Sequence, residues 1–379
     1  MSEQEKQLEL DYPLLLGTYT SDEDDGSKGI YAVSPDKTTP YPVGTQPNPS
    51  YIIRHPEHKH LVYAVSESGD DPTSNIVVWH FETSDDSTEV LKAEEAAGTF
   101  SLKGEGACHL AIQGNLLVTA NYGSGSADVV KLDDEGMPVR SVAHIQHEGT
   151  GPREDRQDAA HVHWAGFTAD GTRLLLTDLG TDTVTAYSVE ELEALAEADD
   201  AENNDLRAVQ ELKLPGGEGP RHIAVAPLNN GSGDGSDIYV LTELGHKIFH
   251  VKDDGKNMTI RDVYPLLDEE AEADHDNTAA AISLSPDGRT LLASDRGVDL
   301  LVTFRRTPET GTLDHASTVR SGSRVPREAR ILPDGKTVAA GHQDGSELVL
   351  FALDSETSEL GGIMAKIPVS KVVCVLPFD

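Results

Sequence analysis

The sequence predicts an all-β fold, a seven-bladed β-propeller closed by pairing of its C-terminal strand with the first blade. The first observation behind this is a repeat. Seven times a short apolar strand ends in a polar or aromatic residue and turns into another strand: Gly17-Thr18-Tyr19, Val65-Ser66-Glu67, Ala120-Asn121-Tyr122, Thr177-Asp178-Leu179, Leu241-Thr242-Glu243, Ser294-Asp295-Arg296 and Gly341-His342-Gln343. Successive endings are 48, 55, 57, 64, 53 and 47 residues apart. A period near fifty with several strands per repeat marks a propeller rather than stacked helical pairs. The second observation is the grammar inside each repeat, and the third is a strand-like C-terminal run, Ile367–Leu376, with no eighth repeat behind it. That run needs a sheet to complete, and closure removes the free edge of an open ring.

The grammar is clearest in the later repeats. In the sixth, Ala280–Ser285 alternates, Pro286-Asp287-Gly288-Arg289 turns, Thr290–Ala293 forms a second strand and Leu301–Arg305 a third. The seventh repeats it with Pro333-Asp334-Gly335-Lys336, Val338–Ala340 and Glu347–Phe351. The fourth does so with Ala169-Asp170-Gly171-Thr172, Leu174–Thr177 and Thr183–Tyr187. The segment Val189–Ala198, with Leu192 and Leu195 on one side, reads as the one helix and as a loop decoration. The whole chain, residues 1–379, reads as one propeller domain, with residues 1–12 a flexible N-terminus.

A net charge of −36, from 66 acidic and 30 basic residues, excludes some partners. A field of that sign repels nucleic acid and anionic membrane. Acidic tracts at Ser21–Asp25, Glu193–Asp205 and Asp268–Asp276 fall between repeats, so the charge is read as surface, suited to a protein kept soluble in concentrated salt. Two cysteines, Cys108 and Cys374, make no disulfide framework or structural zinc site. The charged start lacks a signal-peptide core and no apolar run reaches membrane-spanning length, so a cytoplasmic protein is expected, as monomer or homodimer.

Hairpin geometry turns the repeat into a site. The start of each first strand and the end of each second strand share one edge, and the Asp-Gly turns take the other. This sets Asn48-Pro49-Ser50 beside Glu67, Cys108-His109 beside Tyr122 and His161-Val162-His163 beside Asp178. It also sets Arg221-His222 beside Glu243, Thr278 beside Arg296 and Arg327 beside Gln343. First strands of propellers line the channel, so one mouth gathers Arg221, Arg296, Arg327, four histidines (His109, His161, His163, His222), Glu67 and Glu243. Such a concentration of Arg and His in an acid-rich chain points to a site rather than a solvated face.

His161 and His163, two residues apart, are expected on one face of a strand, as a general base with a supporting histidine or as a metal pair; general acid–base work is the preferred reading, with no metal or cofactor. Gly219-Pro220-Arg221-His222 and Val325-Pro326-Arg327-Glu328 repeat one opening: proline fixes the approach of the chain, and arginine then offers a planar fork for an anion. The glycine runs Gly123-Ser124-Gly125 and Gly216–Gly219 are turns without phosphate-loop context, and no serine-nucleophile elbow is present.

These stretches together resemble the lactonase family of seven-bladed propellers, which groups propeller-type 6-phosphogluconolactonases with carboxymuconate-lactonizing enzymes. The resemblance rests on Leu16-Gly17-Thr18-Tyr19-Thr20, Asn48-Pro49-Ser50-Tyr51, Ala120-Asn121-Tyr122-Gly123, Ala160-His161-Val162-His163, Gly219-Pro220-Arg221-His222 and Ser294-Asp295-Arg296-Gly297, in order from about residue 13 to the C-terminus. It implies a hydrolase opening a sugar lactone, with 6-phosphogluconolactone or an aldonolactone as substrate. It places catalytic residues at His161 or His163, Arg221, Glu243 and Arg296, with Glu243 or a histidine as base. His109, Tyr122, His222, Arg327, Gln343 and Glu67 complete the expected substrate contacts. Two stretches depart from the family pattern: Ala281-Ile282-Ser283, where an acidic residue followed by Ile-His is usual, and His342-Gln343, where Asn-Gln is usual. The alternatives are a cycloisomerase working in the ring-forming sense and a non-catalytic binding scaffold. An aromatic content of 5% argues against a scaffold that binds partners over its face.

Overall fold

The computed structural model describes residues 10–378, apart from 22–25, 36–38, 68–73, 84–90, 94–96, 199–205, 228–235 and 268–276. Seven antiparallel sheets follow one another around a ring. Blade one is closed as expected: the C-terminal strand Val372–Pro377 pairs with Leu14–Thr18 in register from Leu14 opposite Pro377 to Thr18 opposite Val372. Ile367, expected in that closing strand, instead ends the outer strand of blade seven, Leu360–Ile367, and a turn at residues 368–371 separates the two. Residues 1–9 lie outside the described residues, whereas Leu10 and Tyr12 pack against the core shared by blades seven and one.

The sheets have four strands, except that blade two carries five, because Leu91–Ala93 and Gly98–Ser101 both pair with Asn75–Thr83. The second strands, such as Leu116–Asn121 and Ser236–Thr242, are buried along their whole length because a neighbouring blade covers each face. Seven apolar clusters fill the seven gaps between adjacent blades, including the gap between blades seven and one. The helix Val189–Glu197 starts on the Ser188 side chain, which accepts from Glu191 N, and buries Leu192 on the cluster between blades three and four.

The turns form as the Asp-Gly signals require. Gly171, Gly288 and Gly335 adopt φ of 68°, 68° and 65°, the left-handed region open to glycine. The first strands pack against one another around the axis, from the C-terminal strand through Tyr51–Arg54 to Pro326–Ile331 and back. Their starts therefore surround one end of the channel, and the Asp-Gly turns surround the other.

Candidate active site

One irregularity recurs in the first strands and sets the site. Between Pro220 and His222, Val162 and Trp164, and Pro326 and Glu328, the register shifts by one residue, so Arg221, His163 and Arg327 sit on β-bulges. Cys108 occupies the same place in blade three and Ala280 in blade six. A bulge re-aims its extra side chain, and here it aims each toward the axis. The approach to the bulge is shared too. The residue whose carbonyl accepts from the strand ending has positive φ in five blades: Lys371 (57°), Asn48 (41°), Gly106 (65°), Gly219 (62°) and Val325 (57°). At Gly219 a Cβ would press on Leu244 at 2.8 Å, and Asp182 holds the loop by accepting from Gly217 N and Gly219 N at 2.9 and 2.7 Å.

The bulges divide the side chains at this end into layers. The outer layer is made by the seven strand endings, Tyr19, Glu67, Tyr122, Leu179, Glu243, Arg296 and Gln343, each the counterpart of the others by backbone pairing. The bulged residues form the layer beneath. His109 and His222 follow one residue later and lie a layer deeper still. His161 precedes its strand, and its carbonyl accepts from Leu179 N at 2.9 Å. The bulge at His163 thus breaks the simple alternation expected to put both imidazoles on one strand face. They meet at Tyr122 instead: His161 stacks on its ring at 4.4 Å, and His163 approaches edge-on at 5.4 Å. Asp178 accepts from His161 N at 2.8 Å and pairs with His147 at 2.9 Å, so it anchors the backbone.

Glu243 is the centre of the arrangement. Its Oε2 lies 2.9 Å from Arg221 Nε and 3.0 Å from Arg296 Nη2, and its Oε1 accepts from Arg156 Nη2 at 2.6 Å. The Arg221 contact is an ion pair without hydrogen-bond alignment; that guanidinium donates through Nη1 to Ala280 O and to His222 Nε2. Burial alone would raise the Glu243 carboxyl, but Arg296, Arg221 and Arg156 outweigh it and hold it far below the usual carboxylate range. Burial, then Arg327 and Arg296, lower Arg221 to about 9, which leaves it a cation at neutral pH. Arg327 faces Glu67 at 3.4 Å and the Tyr19 ring at 5.4 Å, beside the same cluster. Gln343 is half-buried, its N–H on Val325 O at 2.9 Å.

Arg156 was absent from the residues expected. It comes from the loop before blade four, and it also donates to the Tyr122 hydroxyl at 3.4 Å. Buried Gln157 ties that loop down by donating to Leu179 O at 2.8 Å and accepting from Arg153 N at 3.1 Å. The only hint in the sequence is that Gly151-Pro152-Arg153, just upstream, copies Gly219-Pro220-Arg221.

Three of these histidines, His163, His222 and His109, favour the base form. Burial and then Arg221 push His163 and His222 well below the ordinary imidazole value, and His109 follows for the same two reasons. His109 and His222 are 5.3 Å apart and line a cavity of about 290 Å³ on the turn side of the arginine layer. They therefore sit below the mouth rather than on it. Among the described residues no group of three His, Cys, Asp or Glu side chains is placed to hold a metal ion. No described helix is long and apolar enough to cross a membrane.

The chain is thus a closed seven-bladed propeller with an arginine-clamped carboxylate, Glu243, and a buried histidine, His163, at one channel mouth. The chain belongs to the lactonase family of seven-bladed β-propellers, whose description, "Lactonase, 7-bladed beta-propeller", matches residues 13–377, and it is a lactonase. It is 25% identical over 367 residues to the 6-phosphogluconolactonase of Bacillus subtilis, covering 95% of this chain and 96% of that one. An uncharacterized protein of Staphylococcus saprophyticus is 29% identical over 369 residues, covering 95% and 97%. The crystal structure of a Bacteroides fragilis protein, provisionally named a 6-phosphogluconolactonase, superposes with a TM-score of 0.80 at 28% identity, covering 96% and 97%.

Proposed function

We propose that the protein hydrolyses an anionic sugar lactone, with 6-phosphogluconolactone the leading instance, to the open-chain acid. The observation that carries this is charge: four guanidiniums, of Arg156, Arg221, Arg296 and Arg327, face two carboxylates, Glu243 and Glu67, at a mouth of a chain whose net charge is −36. The excess of two positive charges is an anion site, and the names of the Bacillus subtilis and Bacteroides fragilis relatives support the same substrate class. Arg221 and Arg296 polarise the lactone carbonyl and stabilise its developing oxyanion. Arg156, the most exposed of the three on Glu243, holds the substrate's anionic group. A neutral imidazole, His163, takes the proton of the attacking water, with His161 and Tyr122 packed about it. Glu243, clamped as the counter-ion, is too weak a base for that step and keeps the three guanidiniums in place.

Proton release measured with 6-phosphogluconolactone and with unphosphorylated gluconolactone tests the reading. Arg156→Ala should lower kcat/KM for the phosphorylated lactone by about 10- to 100-fold, the value of a charge-assisted hydrogen bond, and affect the unphosphorylated one far less. Equal losses on both, or none on either, would overturn the assignment.

A further inference from the structure

We propose that the chamber beneath the arginine layer is a second binding site, built for an uncharged sugar or polyol ring. Its volume, about 290 Å³, equals roughly ten waters at about 30 Å³ each and lies at the lower end of small-molecule sites. It is separate from the mouth: none of His161, His163, Arg221, Glu243, Arg296 or Arg156 lines it. Its lining runs down the first strands from His222 to Val225 and from Ala281 to Leu284, toward the Asp-Gly turns.

Three features of the wall select the ligand. Four aromatic rings are contiguous there: Tyr51 lies 4.0 Å from His109, which lies 5.6 Å from Trp164 and 5.3 Å from His222. This contiguous ring surface on the cavity is a stacking face for the C–H side of a sugar. Beside Tyr51, Arg330 Nε donates to Glu328 Oε1 at 3.2 Å, a paired fork whose remaining donors and acceptors suit neighbouring hydroxyls. Charge is the third feature. The arginine is already neutralised by its glutamate, and both histidines are uncharged, held so by burial and Arg221. A phosphate finds no unpaired cation here, in contrast to the mouth. Arg221 forms the partition: its Nε faces Glu243 on one side and its Nη1 donates to His222 on the other.

The chain has two tryptophans, Trp79 bonded to Gln46 between blades and Trp164 on the chamber wall, so intrinsic fluorescence reports on this site. The intact enzyme is titrated with D-glucose and with xylitol, and in parallel with 6-phosphogluconate. A saturable change in emission with a neutral sugar is expected, retained in Arg156→Ala and absent in Trp164→Phe. Calorimetric binding of the same sugar should weaken at least about tenfold in Glu328→Gln and in Arg330→Met, the loss of one charged hydrogen bond. Thermal melts of both variants verify their folding. No saturable response to any neutral sugar overturns the proposal, as does a response lost in Arg156→Ala and intact in both chamber variants, which puts the sugar at the mouth. Failure of the lactonase reading looks different: no lactone turnover, with the sugar response unchanged.

Discussion

Replacing Glu243 with glutamine should destabilise the fold by about 3 kcal/mol, because three guanidiniums lose the counter-charge they share. Removing one partner of a buried ion pair costs roughly 3–5 kcal/mol, since the other charge stays desolvated. Arg221 and Arg296 are buried at 2% and 12% side-chain exposure, so their share is close to full. Arg156, at 32%, regains water and contributes little. The glutamine carbonyl still accepts one hydrogen bond, which sets the expectation at the low end. The assay is denaturant unfolding of both proteins at fixed ionic strength across the pH range, with and without inorganic phosphate. The Glu243 carboxyl is depressed below its ordinary 4.5 in the folded state. Its stabilisation is therefore complete above that pH and fades as pH falls toward the folded-state value. The gap between the proteins should be constant from about pH 8 to pH 5 and narrow in more acid solution. Phosphate, by standing in for the lost anion, should stabilise the variant more than the wild type. Equal stability at neutral pH would refute the reasoning, and so would a gap that persists undiminished in strong acid.

Other expectations concern the base, the backbone and the surface. With neutral His163 as base, kcat/KM should be flat through neutrality and fall only as pH drops through its lowered pKa, below 6.5; His163→Gln should remove that acid limb and lower kcat by about 10²–10⁴. A retained limb in the variant would assign the proton transfer elsewhere. Val325 holds a left-handed φ of 57°, a conformation costing a β-branched residue about 1–2 kcal/mol. Val325→Gly should relieve this, less the greater entropy of unfolded glycine, and gain roughly 0.5–1 kcal/mol in chemical denaturation; a loss would show that the Val325 side chain matters more than its backbone. If the net charge of −36 is a salt adaptation, thermal melts should rise steeply as potassium chloride shortens the Debye length from ~10 Å at 0.1 M to ~3 Å at 1 M. A melting point indifferent to salt would count against it.

The blade repeat and the meeting of Arg221, Glu243 and Arg296 were legible in the sequence because both depend on local, periodic signals. An Asp-Gly turn fixes which ends of a hairpin meet, so strand starts and strand ends could be paired without coordinates. A bulge has no such signature. One extra residue at Cys108, His163 and Arg221 leaves the composition unchanged yet drops His109 and His222 to a deeper layer and separates the paths of His161 and His163. Arg156 escaped because its loop has neither alternation nor turn code; only tertiary folding brings it to Glu243. The outer strands were also silent. Met258–Pro265 is mostly half-exposed or exposed, so no apolar run announces it.

The closing strand has a consequence for how the enzyme is made. Leu14–Thr18, near the start of the chain, has no inner neighbour until Val372–Pro377 has been synthesised. Blades two to seven form from contiguous segments as they emerge, but the ring stays split until Val372–Pro377 has emerged, with the inner edge of Leu14–Thr18 exposed to other nascent chains. None of the mouth residues lies in Val372–Pro377 itself. A frameshift or proteolytic cut just before Val372 should nevertheless abolish activity, because seven strand endings drawn from the whole length of the chain acquire their fixed distances only when the circle is complete.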